Sequence, residues 1–121
     1  MSLAVWIGVG VLGGCGALAR FGLTLFVADR LHPHFPAGTL LVNLSGAFLL
    51  GLLAGASVDG DARLLFGVGL LGSYTTFSTW MLETQRIGEA GKHRIAVLNV
   101  LLSVVLGLAA VALGRILGGE L

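Results

Sequence analysis

The chain has 121 residues, of which 56% are hydrophobic and only 11% charged, with a net charge of +1. Ordinary soluble domains carry about a quarter charged residues, so too few are present to build a polar shell, and lipid must replace it, as a mean hydropathy of +0.99 also indicates. The 7 Lys and Arg residues are too few and too scattered to track a phosphate backbone, which excludes a nucleic-acid partner.

A membrane-spanning helix needs about 20 mainly apolar residues. The first such segment runs from about Leu3 to Ala28 and is interrupted only by Arg20. It lacks a basic leading region and continues past Arg20, so it reads as a retained membrane helix and not a cleaved signal. A guanidinium two-thirds along this segment must snorkel, pair with an acid or cap carbonyls. Alternatively, it supplies positive potential that draws anions toward a pore mouth. Cys15 is a single cysteine in an apolar run, with no partner for a disulfide or metal.

The second segment runs from about Phe35 to Val58 and contains no charge. Asn43 lies midway along it, with Thr39 one turn earlier. Polar groups at membrane depth are costly and need a reason. The Asn43 carboxamide, which can donate two hydrogen bonds, either ties helices together or serves a passing ligand.

The third segment runs from about Leu64 to Leu82, with helix continuing to Ile87. Its centre is the densest polar stretch, Gly72-Ser73-Tyr74-Thr75-Thr76-Phe77-Ser78-Thr79-Trp80. Hydroxyls, aromatics and a glycine do not suit a lipid-facing helix, and glycine with β-branched threonines weakens helix there. A broken helix is expected, and such a break survives only where freed backbone groups are buried in protein or line a cavity. Freed carbonyls could bind a hard cation; freed hydroxyls and ring edges could meet an anion. No carboxylate lies within the first, second or fourth runs, and Glu83, at the end of this one, is the only candidate.

The fourth segment runs from about Ile95 to Leu117 and is charged only at Arg115. Asn99, Ser103 and Gly107 repeat every four residues and share a face. Glycine is abundant at 20 residues, and Gly10 to Gly14 and Gly51 to Gly55 have the spacing of close helix contacts. The connections Asp29 to His34, Asp59 to Arg63 and Gly88 to Arg94 hold the Pro, Gly and charged residues that end helices.

These readings predict an all-α integral membrane protein. It is a single four-helix domain over residues 1–121, with helices at about 3–28, 35–58, 64–87 and 95–117 and a break in the third. Period-2 alternation is absent, which argues against a membrane β-barrel. With four spans both termini share a side with Arg63 and Arg115, opposite Arg30, Arg86, Lys92 and Arg94. The positive-inside rule places the second group in the cytoplasm by a small margin. Four short helices do not readily enclose a hydrated path alone, so an oligomer is expected. The three histidines fall in connections and no His/Cys/Asp cluster or Ser-His-Asp arrangement is visible, so the chain does not read as an enzyme.

Three stretches together resemble the CrcB/Fluc family of fluoride channels. Gly13-Gly14-Cys15-Gly16-Ala17-Leu18-Ala19-Arg20-Phe21 is similar to the family's glycine-rich run ending in arginine and an aromatic. Pro36-Ala37-Gly38-Thr39-Leu40-Leu41-Val42-Asn43-Leu44-Ser45-Gly46-Ala47-Phe48 resembles its GTLxVNxxGxF pattern, and Gly72 to Trp80 resembles GGxTTFSTF. The stretches keep family order and spacing, and the resemblance covers the whole chain. It implies an antiparallel, dual-topology dimer in the cytoplasmic membrane with two narrow pores, exporting fluoride passively to relieve its toxicity. It further implies that Asn43, Phe77 and Trp80 handle fluoride, that Asn99, Ser103 and Gly107 form a polar track, and that a structural sodium sits on the backbone carbonyls of Gly72 and Thr75. Thr39 and Ser78 fit as further pore donors, and Arg20 and Glu83 as vestibule groups. Fluoride is small and strongly hydrated, so a pore must return what its lost water gave. Neutral donors suit conduction, which needs exchangeable sites, and ring edges carry partial positive charge.

Three positions depart from the family pattern: Trp80 stands at a usual phenylalanine, Asn99 at a usual tyrosine, and Gly107 where some members have a hydroxyl. They leave open whether both pores conduct and whether the partner is a second copy or a homologue. A small multidrug exporter of the dual-topology kind fits the length but requires an acid midway along the first helix, which this chain lacks. A non-transporting assembly subunit requires that the polar groups serve only packing.

Overall fold

The computed structural model describes residues 2–28, 30 and 35–121. Most of the expected 29–34 connection, including His32 and His34, lies outside the described residues. Every regular element among the described residues is helical.

Helix α1, Leu3–Ala28, is unbroken over 26 residues, about 39 Å at 1.5 Å per residue. The Ser2 hydroxyl starts it by accepting from the Val5 N–H at 3.2 Å. Only Val5, Gly16 and Val27 are buried along it, and most of its other apolar side chains are exposed, as lipid permits. Helix α2, Ala37–Gly55, is shorter than the expected 35–58. Pro36, which has no N–H to donate, precedes it. Beyond its end the chain reverses through Ser57, a non-glycine residue at φ 58°.

The third span is two helices. Helix α3 covers 60–74, and nine of its residues, Arg63–Leu71, are wound as a π-helix. It stops at Tyr74, because Thr75 turns extended at φ −82° and ψ 158°. Helix α4, Ser78–Glu89, resumes after the break. The expected interruption therefore falls at residues 75–77, inside the Gly72–Trp80 stretch, and the helix runs to Glu89 instead of 87. A turn through Gly91, at φ 83°, leads into helix α5, His93–Gly119, so His93 opens a helix and does not lie in a loop.

Helices α1, α2 and α5 are each long and apolar enough to cross a membrane. The broken pair α3–α4 accounts for the remaining apolar run. The most extensive packing is α2 against α5, and α1 lies along α3. A Cβ on Gly51 or Gly55 would collide with the Val111 or Arg115 carbonyl, and one on Gly114 or Gly118 with the Phe48 or Leu52 carbonyl. Backbone thus meets backbone along this seam. The expected Gly51–Gly55 contact is real, and its counterpart, Gly114 and Gly118, was not anticipated. Gly10 and Gly14 differ: a Cβ on either would meet nothing within 4 Å.

Candidate functional site

The break creates a backbone problem. A helix end leaves carbonyls and N–H groups without intrahelical partners, and none can be left bare in hydrocarbon. Asn43 answers part of this. Its Nδ2 donates to the Thr76 carbonyl at 2.9 Å, and the Thr76 N–H donates to its Oδ1 at 2.9 Å. One side chain on α2 thus reads both polar groups of one residue at the break. Asn43 keeps one amide hydrogen beyond this clasp.

Side chains satisfy more of the break. The Thr76 hydroxyl accepts from the Thr79 N–H at 3.2 Å, the spacing of a side-chain cap for α4. The Thr75 hydroxyl donates to the Leu71 carbonyl at 3.1 Å, and Ser73 donates to Gly69 at 2.8 Å. Ser45 on α2 pairs its hydroxyl with that of Tyr74 at 2.8 Å. No hydrogen bond reaches the backbone carbonyls of Gly72 or Thr75 among the described residues.

Beside the clasp lies a cavity of about 210 Å³. Arg20 and Thr24 of α1, Thr39 of α2, and Thr76 and Thr79 at the break bound it. Arg20 and Thr24 face it together because residues four apart share a helix face. Arg20 is half-buried, and no acid stands on the cavity wall among the described residues. Glu83 acts through a neighbour: it accepts from the Thr39 hydroxyl at 2.5 Å. Thr39 is 3% exposed, so this bond fixes its orientation.

A second polar group lies between α4 and α5. Asn99, 1% exposed, donates from Nδ2 to the Thr84 hydroxyl at 2.8 Å, and that hydroxyl donates to the Trp80 carbonyl at 2.8 Å. The indole N–H of Trp80 and the hydroxyl of Ser103 are buried and have no partner among the described residues. The Phe77 ring meets Trp80 edge to face, with centroids 5.6 Å apart and planes at 83°. Phe77 itself is 70% exposed.

The structure therefore brings Arg20, Thr39 and Asn43 to the break, with Glu83 behind Thr39. It links Asn99 of α5 to α4 through Thr84, one turn along from Trp80, and the Phe77 ring meets Trp80; Ser103 lies one turn along α5 from Asn99. Ser78 is exposed at the start of α4, within 3.5 Å of the Thr76 hydroxyl. Gly107 stands apart, with open space beside it. Thr76 and Thr79 belong to the polar stretch read from the sequence, whereas Thr24 and Thr84 were not singled out; their spacing of four from Arg20 and from Trp80 was the available signal.

A hard cation takes oxygen ligands. The unpaired carbonyls of Gly72 and Thr75 have the right chemistry for one, and the nearby Thr75 hydroxyl is already spent on Leu71. No group of three or more His, Cys, Asp or Glu residues is assembled for a transition metal among the described residues.

Comparison with known proteins places these features in context. Residues 7–115 match the family described as "CrcB-like protein, Camphor Resistance (CrcB)". The chain is 55% identical over 115 residues to the "Fluoride-specific ion channel FluC 2" of Mycobacterium tuberculosis, covering 95% of this chain and 91% of that protein. It is 41% identical over 119 residues to the "Fluoride-specific ion channel FluC 1" of Symbiobacterium thermophilum, covering 93% and 96%. It is 43% identical over 113 residues to a "FluC 2" of the same organism, covering 89% and 92%.

Proposed function

Because this chain belongs to the CrcB family, we propose that it is a fluoride-selective channel that releases the ion passively across the cytoplasmic membrane. The observation that carries this reading is the cavity at the break. A cation and neutral hydroxyls bound it, and no acid on its wall repels an anion. The positive potential of Arg20 concentrates anions, as charged clefts do. The Thr24, Thr76 and Thr79 hydroxyls on its wall replace part of the ion's water. Neutral donors hold the ion loosely enough to let it go. No step of this process requires a bond to be made or broken, so the chain is a channel and not an enzyme.

The working unit is a pair of copies, one inverted relative to the other. Phe77 and Ser78 are exposed next to non-helical backbone, and such backbone at membrane depth needs protein cover. A second copy placed on this face supplies that cover and completes a path between the two breaks. A homologue is the alternative partner, since one organism holds two relatives of this chain. The carbonyls of Gly72 and Thr75 from both copies would hold a sodium ion. When bound, that ion ties the two breaks together and adds fixed positive potential.

Fluoride efflux from proteoliposomes of the purified chain, read with a fluoride electrode, tests the proposal. Release well above that of protein-free vesicles, with chloride retained, is expected. Release at the protein-free level would overturn it.

A further inference from the structure

Between α2 and α3 the chain reverses through Ser57 and reaches Asp59, the residue that precedes α3. An aspartate there ordinarily caps the helix by accepting from its first N–H groups, yet the Asp59 side chain makes no such bond. It lines a half-open groove of about 580 Å³ instead, together with Leu50 and Leu53 of α2 and Arg63, Gly67 and Val68 of α3. That volume lies within the usual range of ligand sites, about 300–1,000 Å³. The winding of α3 accounts for the shape. In a π-helix hydrogen bonds link residues five apart, so residues four and five apart crowd onto one face. Arg63, Gly67 and Val68 fall on the groove for this reason. Gly67 leaves the space open: a Cβ there would meet only the Arg63 Cγ, at 4.0 Å.

The groove is apolar at one end and charged at the other. A span that ends at Gly55 puts Asp59 and Arg63 at the bilayer surface, with Leu50 and Val68 toward its interior. Asp59 and Arg63 are exposed, and neither side chain makes an ion pair or hydrogen bond among the described residues. We propose that this groove holds an acyl chain of a phospholipid whose head group carries a phosphate and a primary ammonium, as an ethanolamine head group does. Arg63 takes the phosphate, because guanidinium N–H groups match phosphate oxygens in pairs. Asp59 accepts from the ammonium. The acyl chain lies along Leu50, Leu53 and Val68, where no water competes. Two opposite charges that do not pair with each other match an occupant that holds both signs in one head. A choline head has no N–H to donate, and a glycerol head has no cation for Asp59. An inverted second copy fits worse, since it brings its Arg86 and Arg94 to the level of Arg63. The inference needs only a chain seated in a membrane, so it stands apart from the channel reading.

Native mass spectrometry of the full-length protein in detergent tests this. The protein is titrated separately with three phospholipids of identical acyl chains, bearing an ethanolamine, a choline or a glycerol head group. The ethanolamine lipid should bind with a midpoint at least about fivefold lower than either of the others, and Arg63→Gln should raise that midpoint at least about fivefold, as loss of a hydrogen bond to a charged group does. Asp59→Asn, which keeps a side chain suited to the start of a helix, should erase the preference over the choline lipid. Gly67→Leu fills the groove from a position where a Cβ has room and should weaken binding of all three lipids. Equal midpoints for the three lipids would overturn the site and leave only unspecific boundary lipid. Lipid binding unmoved by Gly67→Leu in a folded protein would do the same, and loss of the dimer in that variant would give the groove to a second copy. Should Gly67→Leu fail to fold, Arg63→Gln and Asp59→Asn, both at exposed side chains, decide alone.

Discussion

Asn43→Asp is a nearly isosteric change, yet the geometry of the clasp makes it severe. The new side chain keeps an oxygen for the Thr76 N–H. Its other oxygen replaces Nδ2, which now donates to the Thr76 carbonyl at 2.9 Å. One hydrogen bond is lost, worth about 1 kcal/mol net, and a half-buried carbonyl is left without a donor, at about 1–3 kcal/mol. The sum is about 2–4 kcal/mol, before the repulsion between two oxygen atoms is counted. At 1.4 kcal/mol per tenfold, the closed break is disfavoured by roughly 30- to 700-fold. Asn43→Ala loses both bonds and leaves both Thr76 groups without their partner, about twice that cost, but places no negative charge beside the anion path. The assay pairs thermal unfolding in detergent with fluoride efflux at pH 7. Both variants should unfold earlier and transport far less. If Asn43→Asp unfolds like the unaltered chain, the clasp is not what holds the break, and the reasoning fails.

Two further outcomes follow from the packing and the charge. Gly55→Ala drives a methyl into the Arg115 carbonyl and should cost about 1–3 kcal/mol or more, as overpacking does. Gly14→Ala, with nothing within 4 Å, should stay within about 0.5 kcal/mol. Unfolding midpoints of the two variants compared side by side check this, and equal midpoints would contradict the seam. Arg20→Gln should slow fluoride efflux several-fold at low ionic strength and less at 1 M salt, where screening shortens to about 3 Å. A rate unaffected by the substitution at low salt would remove Arg20 from the anion path.

Hydropathy exposed the spans because a bilayer imposes a length and a composition on anything that crosses it. The Gly72–Trp80 stretch exposed the break for a related reason: such polarity at that depth has few homes. Other features leave no such trace. The π-winding of Arg63–Leu71 changes the number of residues per turn without requiring any particular residue. The polarity of Asn43 was visible, but its partner is main chain, and backbone has no letter in a sequence. Glu83 stood out as an acid, whereas its bond to Thr39 depends on how α2 and α4 meet across 44 positions. The four-residue spacing of Gly51 and Gly55 was legible as a contact surface. The facing pair, Gly114 and Gly118, needed the fold to select it from 20 glycines.

The α2–α5 seam also fixes how the protein can deform. Side-chain interfaces can breathe, because rotamers trade places as helices slide. Where main chain rests on main chain, no such slack exists. Helices α2 and α5 behave as a single stiff plank that carries Asn43 on one member and Ser103 on the other. The spacing between these two groups is then set by peptide geometry and not by thermal jostling or the thickness of the surrounding lipid. A pore that must reject larger ions benefits from a wall that cannot swell. Any widening has to come from α1 or from the broken α3–α4 pair swinging against that plank.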